Sequence, residues 1–203
     1  MRITLSILAK APVPGYAKTR LIPVLGPEGA AQVARQLLDQ TLTAAADARI
    51  SERRLWVAPA YADPGWRSVE IPDGFTLSDQ GEGDLGERLA RVTQQSLSGS
   101  DGVLLSGTDC VDSRASLFEQ AAGHLRDHDA VLYPAADGGY ALLGLRQYHP
   151  SLFSDMPWST AEVGAITLAR IRALGWSCYR GAVLNDIDEP ADLVFLDKAQ
   201  DTS

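Results

Sequence analysis

The chain has 203 residues, of which 45% are hydrophobic and 22% are charged, and these proportions are those of a globular protein. A chain of this length buries roughly 70% of its unfolded surface, so we expect a single domain over residues 1–203. The 18 basic and 26 acidic residues give a formal net charge of −8. Because nucleic-acid binding needs a broad basic surface, this charge argues against a nucleic acid as the main partner.

Two features of the sequence predict a cytoplasmic location. Cys110 and Cys178 are the only cysteines, which is too few for a disulfide framework or a cysteine-ligated zinc site. The apolar stretch at residues 3–9 is too short to span a membrane, and no signal-peptide cleavage site follows it. We therefore expect a chain without a membrane span that works in a reducing compartment.

Hydrophobic patterning predicts that strands and helices alternate along most of the chain. In chain order, the predicted elements are a strand at 2–9, a helix at 27–48, strands at 53–59 and 74–80, a helix at 83–97, a strand at 101–109, a helix at 113–128, strands at 129–135 and 140–145, a helix at 162–174, a strand at 176–184 and a helix at 188–200. Ser113 is expected to cap the helix that begins with it, and Pro190 lies in the first turn of the last helix.

This alternation is typical of an α/β fold in which a mostly parallel, mixed sheet has helices on both faces, giving three layers. Right-handed crossovers place the carboxyl ends of the parallel strands at one edge of the sheet. Ligands of such sheets bind outside that edge. The polar residues that follow each strand are therefore the candidates for function.

The loop after the first strand concentrates positive charge. No acidic residue occurs in the first 27 positions, whereas Lys10, Lys18 and Arg20 lie in or beside this loop. Pro12 restricts the loop, and Gly15 allows its backbone to turn closely around a ligand. Ammonium and guanidinium groups suit phosphate oxygens, so the loop is predicted to bind a phosphate chain. The alternative is a solvated surface loop.

Acidic residues follow two other strands. Asp109 comes directly after the apolar strand at 101–109, and Asp186 and Asp188 follow the last strand, two residues apart. Side chains two apart in an extended segment lie on the same side. Carboxylates gathered at one edge of the sheet would suit Mg²⁺ or Mn²⁺, so a metal site is predicted there. The alternative for each acid is a helix-capping role.

Five segments occur in the same order as in the DUF2064 family, and the chain resembles that family from about residue 3 to residue 195. They read KAPVPGYAKTRL, GDLGERL, GTDC, DGGYALLGL and DIDEPADL. The family is of the GT-A type, similar to nucleotide-diphospho-sugar transferases, and is related to the MobA-like and CofC-like nucleotidyltransferases. The resemblance implies a GT-A fold, a nucleoside di- or triphosphate ligand and a divalent metal.

The resemblance also suggests roles for individual residues. It places Lys18 and Arg20 at the phosphates and Asp109 and Asp188 at the metal. Gln80, Gly83 and Gly86 would lie near the nucleotide base. Asp137 would face the acceptor, as a base, or would simply form a tight turn with the two glycines that follow it. Val111 stands where the family usually has proline.

Other patterns compete with this interpretation. The segment GEGDLG (81–86) matches a dinucleotide-binding pattern, but two of its residues are acidic and would repel a pyrophosphate. His124 and His128 have the four-residue spacing of a metal pair, although a structural role near a helix C-terminus is favoured. Cys110 is predicted to be a buried residue and not a nucleophile. Trp158 is interpreted either as a stacking surface for an acceptor or as a core residue.

The sequence thus predicts a metal-dependent transferase in which Asp109, Asp137 and Lys18 carry the chemistry. The same residues would serve two reactions, and the family resemblance favours glycosyl transfer from a nucleotide sugar to a small acceptor. Nucleotidyl transfer from a nucleoside triphosphate, with release of pyrophosphate, is the first alternative. A nucleotide-binding protein without turnover is the second.

Overall fold

The computed structural model describes residues 1–196, and within them seven strands form one mixed sheet. The strands are β1 (Ile3–Lys10), β2 (Glu52–Ala58), β3 (Phe75–Asp79), β4 (Gly102–Ser106), β5 (Ala130–Pro134), β6 (Tyr140–Leu145) and β7 (Cys178–Arg180). Their order across the sheet is β3-β2-β1-β4-β6-β5-β7. In this part of the chain β6 alone runs antiparallel to its neighbours, as the β4 and β5 pairings show. The carboxyl ends of the other six strands therefore share one edge of the sheet.

Within residues 1–196, four α-helices cover the two faces of this sheet. They are α1 (Ile22–Asp47), α2 (Leu85–Leu97), α3 (Ala115–Asp127) and α4 (Val163–Ala173). On one face, Leu42 of α1 and Phe118 of α3 pack with Leu104 of β4. On the other face, Val92 of α2 and Ile171 of α4 join a separate apolar cluster. The predicted three-layer α/β/α architecture is confirmed.

Helix α1 is divided by a kink close to its start. Gly26 has φ 71° and ψ 169°, a left-handed conformation that glycine adopts at little cost. The helical segment resumes at Pro27, where the missing N–H is not needed. The predicted start of this helix at residue 27 therefore matches the main segment, and a short turn from Ile22 precedes it.

Three local predictions were wrong or only partly right. Helix α3 begins at Ala115 after Arg114, and Ser113 does not cap it: the Ser113 hydroxyl is buried without a hydrogen-bond partner. Strand β7 covers only three of the nine residues predicted as a strand. The predicted final helix begins instead as a 3-10 helix at Pro190–Leu193. Positions 197–200 of that predicted helix lie outside the described residues.

The helices found in residues 1–196 are not suited to crossing a bilayer, since each is too short or too polar for a span.

Candidate active site

The loop after β4 and the segment after β7 pair with each other in a short antiparallel bridge. The N–H of Val111 donates to the carbonyl oxygen of Asn185 at 3.0 Å, and the N–H of Ile187 donates to the carbonyl oxygen of Asp109 at 2.9 Å. Because backbone bonds fix this register, the acids of the two segments are held at one edge of the sheet. The two predicted acidic strand ends are thus brought together.

A side chain locks the same pairing. Oδ2 of Asp112 accepts hydrogen bonds from the backbone N–H of Asn185 at 2.8 Å and from its side-chain amide at 3.1 Å. Hydrogen bonds to a charged group are stronger than those between neutral groups. Asp112 therefore positions the segment that carries Asp186 and Asp188.

Asp137 lies in the turn between β5 and β6. Its Oδ1 accepts the N–H of Gly139 at 2.7 Å, and Gly138 has φ 93°. The N–H of Gly164, in the first turn of α4, donates to the carbonyl oxygen of Gly138 at 2.9 Å. The tight turn predicted from the composition is present, and it is packed against the start of a helix.

Three carboxylates converge at this edge of the sheet. One oxygen from each of Asp137, Asp186 and Asp188 lies within 4.8 Å of the other two. Burial, and after it the charge of Asp137, raises the pKa of Asp186 to about 6. Acids this close repel one another, so a cation placed among them would be bound favourably.

The ammonium of Lys18 already lies beside these acids. Lys18 Nζ contacts an oxygen of Asp109 and lies 2.8 Å from Oδ1 of Asp188. The Lys18 side chain is only 5% exposed, whereas those of Asp109 and Asp188 are 49% and 39% exposed. Burial lowers the pKa of Lys18, but the two carboxylates outweigh it, so the pKa lies above its ordinary value. Lys18 is therefore charged, and it joins the first loop to both acidic strand ends.

The converging groups line a cleft of about 500 Å³ at the carboxyl ends of the strands. Among the residues predicted from the sequence, those that line it are Lys10, Lys18, Arg20, Gln80, Asp109, Asp137 and Asp188. Arg20 lies 3.3 Å from Glu189 in an exposed ion pair. The carboxylates that pair with the basic loop thus come from segments distant in the sequence.

Gln80 lines the cleft and fixes two strand ends. Its buried side-chain amide nitrogen donates to the carbonyl oxygens of Ala9 at 3.0 Å and Trp56 at 2.9 Å. The backbone N–H of Gln80 donates to Val57 at 3.0 Å. Both amide protons are used in this way, so Gln80 can offer a ligand only its side-chain oxygen.

Four of the predicted binding residues do not line the cleft: Pro12, Gly15, Gly83 and Gly86. At Gly86 an added Cβ would lie 2.5 Å from the carbonyl oxygen of Phe153 and 2.8 Å from Nε1 of Trp158. This glycine therefore allows α2 to pack against the loop that carries Trp158. Gly15 has φ 78° and shapes the basic loop.

Two residues that line the cleft were not given a specific role from the sequence. Asp186 was among the strand-end acids from which a metal site was predicted, but the family resemblance named only Asp109 and Asp188 as ligands. Tyr140 also lines the cleft, and its buried hydroxyl has no partner among the described residues. No sequence pattern marks Tyr140, since it reads as an ordinary strand residue.

The competing patterns have structural roles. The N–H of Glu87 donates to Asp84 and the N–H of Asp84 donates to Glu87, each at 2.9 Å, so two carboxylates already cap α2 in place of a pyrophosphate. His124 stacks on Tyr179 with ring centroids 3.5 Å apart. Burial raises the pKa of the Cys110 thiol to about 11, which leaves it protonated and unreactive at neutral pH.

The family model for DUF2064, described as an uncharacterized protein conserved in bacteria, matches residues 41–160. The chain belongs to this family. The predicted family resemblance is therefore confirmed. No curated protein matches the chain.

Solved structures share this fold over almost the whole chain. A proposed nucleotide-diphospho-sugar transferase from Desulfovibrio desulfuricans G20 is 30% identical, with a TM-score of 0.88 over 97% of this chain and 87% of that one. CMP:2-keto-3-deoxy-manno-octonic acid synthetase, solved with CTP, is 11% identical, with a TM-score of 0.62 over 100% of this chain and 99% of that one. A manganese complex of a Mycobacterium tuberculosis H37Rv protein is 17% identical, with a TM-score of 0.55 over 97% of this chain and 98% of that one. The fold is that of the nucleotide-diphospho-sugar transferases.

Proposed function

We propose that this protein is a metal-dependent transferase that uses a nucleotide-activated donor, and that it transfers a glycosyl group from a nucleotide-diphospho-sugar to a small acceptor. The observation that carries the proposal is the contact of Lys18, from the basic loop, with Asp109 and Asp188 inside one cleft. The 30% identity to a proposed nucleotide-diphospho-sugar transferase over 97% of the chain supports the sugar donor.

The residues present fit Mg²⁺ or Mn²⁺. Carboxylate oxygens are the hard ligands that these ions prefer, and the cleft already attracts a cation, the ammonium of Lys18. Asp188, predicted as a ligand, would hold the ion together with Asp186 and Asp137, whose oxygens lie within 4.8 Å of it and of each other. Asp109 would face the ion from the position where it now contacts Lys18. When bound, the ion would supply positive charge that neutralises the diphosphate.

The basic loop would bind the phosphates directly. Lys10 and Arg20 line the mouth of the cleft, and Lys18 lies deeper, beside the acids. Glycosyl transfer leaves negative charge on the oxygen of the departing nucleoside diphosphate. Positive groups fixed in advance around that oxygen stabilise the charge as it grows, which is the main source of rate enhancement in such reactions.

The part of the cleft that α2 lines would accommodate the nucleoside. Leu85 and Leu89 of α2 line it together with Gln80, whose side-chain oxygen would accept a hydrogen bond from a base. Asp137 lies within the acidic cluster, so we assign it to the metal in preference to the predicted role of acceptor base. Trp158 lines the cleft and would stack on the sugar or the acceptor.

We also infer that the chain acts as one domain in the cytoplasm. Both cysteines are free thiols, and Cys110 is buried beneath the acidic cluster, where the backbone bridge to Asp186 holds it. Free thiols of this kind are typical of proteins in reducing compartments.

A thermal-unfolding panel tests the proposal. UDP, GDP, UDP-glucose, GDP-mannose, CTP and GTP would each be added with and without Mn²⁺. We expect stabilisation by a diphosphate nucleotide or its sugar conjugate only when Mn²⁺ is present, by about 2.7 kcal/mol at a concentration 100 times the Kd. Slow release of nucleoside diphosphate from the same sugar conjugate should follow.

The same panel separates the alternatives. Pyrophosphate release from CTP or GTP in a mixture of small phosphorylated acceptors would indicate nucleotidyl transfer. Binding without turnover of any donor would indicate a nucleotide-binding protein that is not an enzyme. Absence of stabilisation by every nucleotide, with Mn²⁺ present, would reject the proposal.

A further inference from the structure

Lys18 is held in an unusual position for a phosphate-binding lysine. Its backbone is left-handed, with φ 50° and ψ 42°, which is uncommon for a residue other than glycine. Its side chain is only 5% exposed, and its ammonium contacts Asp109 and Asp188. The ammonium is thus already engaged by two carboxylates of the cleft.

Asp188 is the acid that two different cations would share. One of its oxygens lies 2.8 Å from Lys18 Nζ, and its carboxylate also belongs to the cluster with Asp137 and Asp186. A divalent ion bound by that cluster would lie within a few ångströms of the ammonium. Two cations at that separation repel strongly in a partly buried site, so they cannot share Asp188 without a cost.

The charges around the cleft also disfavour a nucleotide alone. Asp109 and Asp188 contact the buried ammonium of Lys18, and Asp137 and Asp186 lie beside Asp188, so these five groups carry a formal excess of three negative charges when all four acids are ionised. Lys10 and Arg20, which also line the cleft, make no ion pair with any of these four acids. A diphosphate entering this site without a metal would meet that excess. While Lys18 remains on the acids, a nucleotide alone meets this negative charge, and a metal alone must compete with the ammonium for Asp188.

We propose that Lys18 is an internal cation that occupies the carboxylates in place of the metal and moves to the donor's phosphates when metal and nucleotide bind together. This inference deepens the proposed function and rests on it for the identity of the donor. Lys18 then couples the two ligands: it weakens the binding of metal by itself and strengthens the binding of metal with nucleotide. Linkage requires the same factor for each ligand's effect on the other.

Binding of Mn²⁺ alone tests the competition without any nucleotide. Free Mn²⁺ would be measured by electron paramagnetic resonance during titration of the wild type and of Lys18→Met, which keeps an apolar stem but has no charge. We expect Lys18→Met to bind Mn²⁺ about 10-fold more tightly than the wild type, equivalent to about 1.4 kcal/mol. Lys18→Arg, which keeps a cation at the acids, should bind Mn²⁺ as weakly as the wild type.

Lys10→Met is the matched control for a general charge effect. Lys10 is exposed in the same cleft and makes no ion pair with the residues that the structure describes. Its removal subtracts the same charge from the cleft but vacates no carboxylate, so Mn²⁺ affinity should change less than twofold, since a screened surface charge acts weakly. An equal gain in both methionine variants would overturn the competition.

A second neutral variant allows the same measurement if Lys18→Met does not fold. Asparagine tolerates the left-handed backbone, so Lys18→Asn should fold and should also bind Mn²⁺ more tightly. Unchanged or weaker Mn²⁺ binding in the neutral variants rejects the inference, even if the wild type binds nucleotides with Mn²⁺ as proposed. Tighter Mn²⁺ binding in these variants supports it, even if no nucleotide stabilises the wild type and the proposed function fails.

Discussion

The carbonyl oxygen of Asp109 accepts the backbone N–H of Ile187 at 2.9 Å, and this bond sets the geometry of the cleft. It lies between two segments that are 78 residues apart in sequence, and each segment carries acids that flank the bond. The side chains of Asp109 and Asp188 then meet the same ammonium. Backbone hydrogen bonds between the two segments therefore fix the positions of these acids.

The side chain of Asp112 should be required for this pairing. Asp112→Ala removes two hydrogen bonds from Asn185, and we expect it to destabilise the protein by about 1–3 kcal/mol. It should also weaken Mn²⁺ binding, because Asp186 and Asp188 follow Asn185. Urea unfolding and a Mn²⁺ titration measure the two effects. Asp112→Asn keeps an acceptor oxygen, so its stability and its Mn²⁺ affinity should fall less than those of Asp112→Ala. Equal losses in the two variants would mean that the negative charge of Asp112 matters and its hydrogen bonds do not.

Asp109→Asn should separate binding from folding. The Asp109 side chain is half exposed, and the buried Lys18 keeps its ion pair with Asp188 when Asp109 is neutral, so stability should change by less than about 1 kcal/mol. Mn²⁺-dependent nucleotide binding should be lost, because asparagine keeps the shape but not the charge. Thermal unfolding with and without Mn²⁺ plus nucleotide measures both quantities.

Asp127→Asn is the control for that experiment. Asp127 ends α3 just before the start of β5, at the edge of the sheet opposite the cleft. Asp127→Asn makes the same change of charge as Asp109→Asn, but it should bind nucleotide like the wild type. If Asp109→Asn unfolds the protein while its metal affinity is retained, Asp109 has a structural role and not a ligand role.

The sequence predicted much of the fold because the relevant signals are local. Apolar runs and helical spacing located the seven strands and the main helices. Because the carboxyl ends of parallel strands meet at one edge of the sheet, Lys18 and Asp109 were predicted to lie close together. The register between residues 109–111 and 185–187 could not be predicted, since it depends on contacts between distant segments. For the same reason, Ser113 appeared to be a cap although its hydroxyl is buried in the folded protein.

The assignment of individual site residues was less complete for a related reason. Asp137 lies in the turn of the antiparallel hairpin formed by β5 and β6, and only the folded sheet shows that this turn reaches Asp186 and Asp188. Gly86 was predicted near the base because the family resemblance places it there. The structure shows a packing reason for it instead, since a side chain there would collide with the loop around Trp158.

The turn that carries Asp137 should tolerate no side chain at Gly138. An added Cβ would lie 2.2 Å from the carbonyl oxygen of Ala161, and the residue has φ 93°. We expect Gly138→Ala to destabilise the protein by more than about 2 kcal/mol, because strain and collision add. Gly175→Ala isolates the backbone strain, since Gly175 has φ 72° but nothing within 4 Å of an added Cβ.

Gly175→Ala should therefore lower the free energy of unfolding by only about 1 kcal/mol. Chemical denaturation of the two variants gives the comparison. Similar losses in both would show that the contact with Ala161 relaxes easily and that the turn is not rigidly packed.

The pH dependence of stability should report the ionisation of Asp186. Its pKa is raised to about 6 by burial and by Asp137, whereas an unfolded aspartate titrates near pH 3.9. Between these values the folded protein binds more protons than the unfolded chain, so this group lowers the free energy of unfolding as pH rises from about 4 to about 6. Asp186→Asn cannot ionise, and its stability relative to the wild type should increase over that range and remain constant above it. Urea unfolding at several pH values measures this; parallel pH curves for the two proteins would show that Asp186 is not perturbed in the folded state.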